Sequence, residues 1–364
     1  MLLKPEKIIS GFFFYEPVFI KISFKNALKC GIIIKNKRVY GNSMNYNPHL
    51  TKRNEKGNKG TFGQVLVIAG NESMSGCVYF CAMAALRSGC GMVNIFTDKN
   101  NIESLKVLMP EAIFDWFDNI KHPVFDEKDT FFKDKLDRLL KKADSVVIGP
   151  GLGIREDTLK ITEYVLKNYD GNIIIDADAL NSISVKYKFA NVLSEDFKAD
   201  TNHPLFNKDK NRTVIITPHI LELARLSSLK TEEVKQNLDD LALKIAREYG
   251  IITVFKDAST RVSDGTDLYV NKSGNSSLST AGSGDILAGM IASLVINEEY
   301  PFRGVNTAVY LHGRAGEFAG KDLTAFCVTA RNILDYMPNA FSALKINDRI
   351  YNNCVILEVM NASK

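Results

Sequence analysis

Small residues and one carboxylate stand directly before an apolar segment near residue 285. The stretch Ala281–Asp285 reads Ala-Gly-Ser-Gly-Asp, and the apolar residues Ile286–Val295 follow it. Converging backbone N–H groups at the start of a helix favour an anion such as phosphate. Asp285 would then take a proton from an attacking hydroxyl group. The alternative is that Asp285 only caps the helix, but Gly282 and Gly284 are poor choices for a cap whose sole role is stability.

Other polar or glycine-rich clusters follow apolar runs elsewhere in the chain. They are Gly149–Gly153, Asp176–Leu180, Thr217–His219 and Lys256. Sites in parallel sheets lie outside the carboxyl ends of the strands, so these clusters are expected to line one edge of a sheet. Because Lys256 ends a buried run, its charge needs a compensating anion, which a nucleotide phosphate would supply.

Each of these clusters also has a purely structural interpretation. Gly149–Gly153 could be a tight turn between a strand and a helix. Asp176 and Asp178 could face a metal-bound phosphate, or Asp178 could cap a helix. His219 could be an ordinary packed or surface histidine. For Glu222, a carboxylate in the first turn of a helix is the favoured interpretation, and a magnesium ligand is the alternative. Neither a P-loop nor a dinucleotide fingerprint is present in the sequence, so the phosphate-binding device is of another type.

The elements that must position these residues are short apolar runs alternating with longer amphipathic ones. This alternation predicts an α/β protein with a mostly parallel sheet covered by helices. The predicted strands are Val65–Ala69, Val93–Thr97, Val146–Ile148, Ile173–Asp176, Val214–Thr217 and Ile252–Phe255. The predicted helices are Cys77–Ser88, Thr158–Asn168, Leu221–Leu226, Val234–Tyr249, Ile286–Val295 and Val305–Ala319.

The composition bounds the class of protein. The chain has 364 residues, is 45% hydrophobic and carries a formal net charge of +4. Residues 1–60 hold twelve Lys and Arg against three Asp and Glu, which predicts a basic arm over 1–50 rather than a nucleic-acid module. The six cysteines form no paired CxxC set, and no segment is long enough to cross a bilayer. We therefore expect a soluble, cytoplasmic protein that binds neither nucleic acid nor membrane.

Taken together and in order, the motifs resemble the ADP/ATP-dependent NAD(P)H-hydrate dehydratases of the ribokinase-like superfamily. The resemblance begins at Lys59–Gly63, continues through Val65–Gly70 and Ala84–Gly91, includes the strand-end clusters, and runs to about Pro338. It implies a ribokinase-like three-layer α/β/α fold over a dehydratase domain at 51–345, followed by a tail at 346–364.

The resemblance implies a repair reaction on a damaged cofactor. The S epimer of hydrated NADH or NADPH would be dehydrated at the expense of ADP or ATP, with Mg²⁺ as cofactor. The ring hydroxyl would be phosphorylated, and the neighbouring ring nitrogen would then expel phosphate. The family also implies a homo-oligomer. Residues 1–50 are too short for the epimerase domain that some members carry, so we expect no epimerase activity.

The resemblance also implies roles for individual residues. Asp285 would be the catalytic base, and Gly282, Ser283 and Gly284 would form the anion hole. The hydrated substrate would contact Cys77, Gly151, Gly153, His219 and Asp285. The adenine nucleotide would contact Lys256, Asp257, Ala258, Ser259, Thr260 and Gly284. The metal ligands are unknown from the sequence.

Three positions depart from the family pattern. Asp257 and Ala281 stand where the family usually has Gly, and Cys77 stands where it has Ala. A carboxylate at Asp257 would repel a nucleotide phosphate unless it turns outward or meets magnesium. Two alternatives stay open. A ribokinase-like small-molecule kinase would use the same anion hole and base but release a phosphorylated product. The departures at Asp257 and Ala281 also allow a nucleotide-binding relative that has lost turnover.

Overall fold

A central sheet organises the protein. The computed structural model describes residues 48–117, 130–208 and 212–344. Within these residues nine strands form one sheet in the order β3-β2-β1-β4-β5-β6-β7-β8-β9. The first seven pair in parallel, and β8 and β9 are antiparallel additions at one edge. The strands are β1 (Gln64–Ile68), β2 (Met92–Asp98), β3 (Ile113–Phe117), β4 (Ser145–Ile148), β5 (Asn172–Ile175), β6 (Thr213–Ile216), β7 (Ile252–Phe255), β8 (Arg261–Ser263) and β9 (Leu268–Val270).

Helices cover both faces of the sheet. They are α1 (Gly76–Arg87), α2 (Ile102–Leu108), α3 (Thr130–Leu140), α4 (Glu156–Asn168), α5 (Ala177–Lys186), α6 (Ile220–Ser227), α7 (Thr231–Gln236), α8 (Leu238–Tyr249), α9 (Ser283–Leu294), α10 (Pro301–Leu323) and α11 (330–344). Among these residues, no helix has the length and apolar character needed to cross a membrane.

Two hydrophobic cores lie on opposite faces of the sheet. Side chains alternate along each strand, so Val65 and Val67 enter one core while Leu66 and Ile68 enter the other. The first core contains α1, α9, α10 and α11, and the second contains α3 to α6 and α8. The strands that are buried on both faces read as continuous apolar runs, as parallel sheets require. The result is the three-layer α/β/α architecture that the sequence predicts.

The predicted elements are confirmed apart from one helix. The six predicted strands are β1, β2, β4, β5, β6 and β7, each within one or two residues. The prediction of a single helix over Val234–Tyr249 is wrong, because the chain forms α7 and α8 with a break at Asn237. The Asn237 amide side chain donates to the Glu233 carbonyl at 2.8 Å, and such local bonds compete with helix continuation.

The chain segments at both ends lie largely outside the described residues. Of the predicted basic arm at 1–50 only residues 48–50 are described, and the predicted tail at 346–364 is not described. The domain boundaries near 51 and 345 therefore stay predictions.

Candidate active site

The anion loop lies at the start of α9, on the carboxyl-end edge of the parallel strands. Gly282 precedes the helix with a φ of 91°, in the left-handed region that glycine adopts most readily. A Cβ at this position would lie 2.7 Å from Phe80 and 2.9 Å from Ala330. The first amides of a helix have no acceptor inside it. The Ser283 amide donates to the Thr280 carbonyl at 3.3 Å, so the amides of Gly284 and Asp285 are the ones left for an anion. The anion hole assigned to Gly282, Ser283 and Gly284 therefore stays a prediction, which the left-handed turn and the two remaining amides support.

Asp285 lies in the first turn of α9 and is half-buried. Burial, with the nearby Asp176 carboxylate as a second cause, raises the pKa of Asp285 to about 7, and Lys256 opposes this shift. A general base works best when its pKa is close to the working pH. Asp285 therefore suits proton transfer near neutral pH, beyond what a helix cap needs.

Lys256 forms a buried ion pair with a residue that the sequence left ambiguous. Its ammonium donates to Asp176 Oδ1 at 2.7 Å, and the Thr217 hydroxyl donates to the same oxygen at 2.6 Å. The Asp176 side chain is 2% exposed. Burial disfavours the charged lysine, but Asp176 and Glu222 outweigh it and raise the pKa of Lys256. The anion that compensates Lys256 is thus present in the protein itself.

The same ammonium lies over the anion loop. A Cβ built on Gly284 would lie 3.4 Å from Lys256 Nζ. Next to Asp176, Ala177 has a φ of 47°, a strained conformation for a residue other than glycine. Strain of this kind recurs at functional sites, where surrounding contacts hold it in place. Asp176 at the end of β5 therefore holds the ammonium of Lys256, which follows β7, in a fixed position at the start of α9.

His219 caps α6 and keeps one ring nitrogen for other contacts. Its Nδ1 accepts hydrogen bonds from the backbone amides of Leu221 at 3.1 Å and Glu222 at 3.2 Å. The Glu222 carboxylate accepts from the His219 amide at 2.9 Å, which completes a capping box. Burial and Lys256 lower the pKa of His219, so the ring is neutral with its proton on Nε2. Its Nε2 lies 3.4 Å from Glu222 Oε1, and the side chain is 49% exposed, so a ligand would share this N–H with the Glu222 carboxylate.

The predicted substrate loop after β4 lies against α1. The Cys77 thiol donates to the Met74 carbonyl at 3.2 Å and to the Pro150 carbonyl at 3.3 Å. A side chain at Gly151 would collide with the Cys77 sulphur, while the Gly153 amide donates to Asp178 Oδ2 at 2.8 Å. The sheet order reverses between β1 and β4, and ligands in open α/β sheets bind at such a point. Burial raises the pKa of the Cys77 thiol to about 12, which makes it unreactive at neutral pH.

The predicted nucleotide segment after β7 is an open turn. Asp257 and Ala258 are exposed, and Ser259 and Thr260 are half-buried. Asp257 therefore lies on the protein surface, and its expected repulsion of a nucleotide phosphate stays a prediction. The turn is held at its start by the Lys256 amide, which donates to the Pro218 carbonyl at 2.9 Å. The segment from Lys256 to Thr260 thus borders the cation and the anion loop.

The carboxylates of the site do not form a metal centre on their own. Across the described ranges, no three His, Cys, Asp or Glu side chains are placed to hold a metal ion together. Asp176 Oδ1 is bonded to Lys256 and Thr217, and Asp178 Oδ2 to the Gly153 amide. Magnesium is commonly held by one or two carboxylates together with substrate phosphates. A metal in this site would need oxygen ligands from the nucleotide.

Sequence reasoning missed two members of this site. Asp176 was weighed as a metal ligand, whereas it is the partner of Lys256. The position of Lys256 at the end of a buried strand could have indicated this partner, since a buried cation requires an anion nearby. His312 on α10 lies 3.2 Å from the Ser283 hydroxyl, and no motif in the sequence marks it.

The fold and the anion loop together define the ribokinase-like class of α/β proteins. A solved structure of a ribokinase-like superfamily protein from Enterococcus faecalis is 27% identical, with a TM-score of 0.62, over 81% of this chain and 93% of that one. The structure of an ADP/ATP-dependent NAD(P)H-hydrate dehydratase from Bacillus subtilis, co-crystallised with ATP and Mg²⁺, is 26% identical. Its TM-score is 0.67, over 82% of this chain and 96% of that one.

Within that class, the chain belongs to the NAD(P)H-hydrate dehydratase family. The family model matches residues 65–339. An ADP-dependent (S)-NAD(P)H-hydrate dehydratase from Neisseria meningitidis is 34% identical over 275 residues, which cover 74% of this chain and 82% of the relative. The chain spans about half the length of the bifunctional NAD(P)H-hydrate repair enzymes that it also matches.

Proposed function

We propose that the chain dehydrates the S epimer of hydrated NADH or NADPH at the expense of ADP or ATP. The observation that carries this proposal is Asp285, a half-buried base in the first turn of α9 with a pKa near 7. Membership of the family and the names of the relatives from Neisseria meningitidis and Bacillus subtilis supply the substrate and the nucleotide. The reaction would be carried by the domain at 51–345.

In the first step the ring hydroxyl of the hydrate attacks the terminal phosphorus of the nucleotide. Asp285 accepts the hydroxyl proton as the new O–P bond forms and the phosphoanhydride bond breaks. Negative charge develops on the transferring group. The loop Gly282–Gly284 would stabilise it through the amide of Gly284 and that of the following Asp285. Lys256, held by Asp176, would neutralise the phosphate that leaves.

In the second step the ring nitrogen uses its electron pair to expel the phosphate. The C–O bond breaks, and loss of a proton from the neighbouring ring carbon restores the reduced nicotinamide. His219 would hold the substrate through its Nε2–H, and Gly151 and Gly153 would let the ring approach their backbone beside Cys77. The products are NAD(P)H, inorganic phosphate and the shortened nucleotide.

Magnesium is the expected cofactor, bound through the nucleotide. The described residues supply no complete ligand set, so the ion would arrive with the phosphates, and it would neutralise their charge. Asp257, an exposed carboxylate within the proposed nucleotide segment, would meet this ion. We also propose a cytoplasmic homo-oligomer, which light scattering on the purified protein would test.

The test follows the recovery of reduced-nicotinamide absorbance. Purified protein is incubated with hydrated NADH or NADPH, Mg²⁺, and ADP or ATP in parallel. Recovery with release of one phosphate per NAD(P)H is the expected result. A stable phosphoester without recovery would refute the dehydratase and favour a ribokinase-like kinase. Binding of nucleotide without either product would indicate a relative that has lost turnover.

Asp285→Asn is the matched variant for the proposed base. It keeps the shape of the side chain and removes its basicity, so turnover should fall by about 10²–10⁴-fold. Nucleotide affinity, measured by calorimetry, should change little because Asp285 contacts the hydroxyl rather than the adenine nucleotide. Full activity in Asp285→Asn would show that another group takes the proton.

A further inference from the structure

One buried imidazole beside the anion loop has no role in the reaction described above. His312 lies in the middle of α10 and is 7% exposed. Its Nε2 is 3.2 Å from the hydroxyl of Ser283, the first residue of α9. We infer that His312 is a positioning residue that fixes the anion loop through Ser283. This inference rests on the proposed function and extends it to a residue that takes no part in the chemical steps.

Another face of α10 holds the chain segment that leads into the loop. The Ser273 hydroxyl donates to the Tyr310 carbonyl at 2.8 Å, and the Gly274 amide donates to Glu317 Oε1 at 2.7 Å. Between these two contacts, Gly313 has no side chain, and a Cβ there would collide with Ser273. Helix positions three and four apart share a face. The face of α10 that carries Gly313 therefore holds the chain segment before the loop at Ser273 and Gly274. His312 holds the end of the loop at Ser283.

Ser283 needs a partner of this kind because it is buried. Its side chain is 6% exposed, and a buried hydroxyl without a hydrogen-bond partner is destabilising. The imidazole bonds this hydroxyl and so fixes the direction of the first turn of α9. The amides of Gly284 and Asp285, in the same turn, then point at the position where charge develops in the proposed reaction.

The imidazole holds the loop without adding charge to it. Burial lowers the pKa of His312 to about 4; a hydrogen bond to the Ser283 backbone opposes this shift, and Lys256 adds to it. The ring is therefore neutral at pH 7. A cation at this position would favour the ionised form of Asp285 and lower its pKa. Replacing His312 with lysine or arginine would thus lower the pKa of the proposed base, Asp285.

The expected effect on turnover follows from the precision that a preorganised site requires. Displacing reacting groups by about 1 Å can cost roughly 10²-fold in rate. We expect His312→Leu to lower kcat by roughly 10–100-fold with little change in the KM of the hydrate. His312→Gln can place an amide nitrogen near the Nε2 position and should retain kcat within about threefold.

The matched control is another buried residue on the same helix. Leu311 is fully buried but faces the first core, so Leu311→Ala should lower the melting temperature and leave kcat intact. Ser283→Ala and the double variant His312→Leu/Ser283→Ala complete a cycle. If His312 acts through Ser283, the double variant should be no slower than His312→Leu alone.

The cycle is measured by hydrate turnover and by hydrogen exchange of residues 282–286. Faster exchange in His312→Leu than in Leu311→Ala is expected, and this comparison does not require an active enzyme. An inactive wild type would refute the proposed function, while the exchange rates would still decide the inference. The inference is overturned if His312→Leu matches wild type in kcat and exchange. It is also overturned if the two effects multiply, or if Leu311→Ala loses turnover equally.

Discussion

The pH dependence of turnover tests the electrostatics of the site most directly. Asp285 acts as a base only when it is ionised, and burial together with Asp176 raises its pKa to about 7. The rate should therefore rise as the pH increases through 7 and level off above pH 8. At pH 5, two units below the pKa, about 1% of the carboxylate is ionised, so kcat/KM should be ~100-fold below its plateau.

Asp176→Asn perturbs this profile in a direction that the structure dictates. The variant removes a repulsive carboxylate and leaves Lys256 without its anionic partner, and both changes favour ionised Asp285. Burial, the larger cause, remains. We therefore expect the pKa of Asp285 to fall by roughly one unit, which raises the activity at pH 5, relative to the plateau of the variant itself, by about tenfold.

The assay is the recovery of reduced-nicotinamide absorbance from pH 5 to 9 at constant ionic strength. Glu156→Gln serves as the control, since Glu156 lies on the surface of α4 and pairs with Lys160 at 2.8 Å. Its profile should match that of wild type. A wild-type rate that stays flat down to pH 5 would show that Asp285 is not a base with a raised pKa. An Asp176→Asn profile shifted to higher pH would contradict the charge argument.

Three further predictions concern stability and the loop. Lys256→Met leaves buried Asp176 without its cation and should reduce the free energy of unfolding by about 3 kcal/mol in urea titrations; adding Asp176→Asn should recover part of it. Gly282→Ala places a residue with a side chain at a left-handed φ, and its Cβ would meet Phe80. Melting temperature and kcat should both fall, and the free energy of unfolding should decrease by roughly 1–3 kcal/mol. Burial lowers the pKa of His203 to about 4, so the unfolded chain binds more protons below pH 6.5. Stability should then decrease by about 3 kcal/mol as the pH falls from 6.5 to 4, and by less in His203→Phe. Equal acid losses in the two proteins would contradict this.

The sequence predicts the central sheet well and its edges poorly. After one polar residue at the start of each strand, β1, β4 and β5 are apolar because both faces are covered, and this pattern is easy to recognise. Strand β3 carries exposed Ile113 and Trp116 and looks like a surface segment. Strands β8 and β9 have three residues each, too few for a periodic pattern.

The sequence predicts the candidate site only where residues close together in the chain form a recognisable pattern. Glycines before Asp285 imply a backbone anion site, because few other functions need them there. The pairing of Lys256 with Asp176 joins residues eighty positions apart, and only the register of the sheet brings them together. The contact between His312 and Ser283 depends on how α10 packs against α9, which local patterns do not encode.

If Lys256 binds the nucleotide as proposed, its contact with Asp176 lowers the conformational cost of that binding. A free lysine side chain samples many rotamers, and immobilising it costs about 1.5–2 kcal/mol of conformational entropy. In this protein the ammonium is already held by a carboxylate at 2.7 Å before any ligand arrives. Its ordering is completed during folding, when the hydrophobic cores form around β5 and β7. A phosphate that reaches the site therefore meets a cation whose direction is set, and the side chain loses little further freedom on binding.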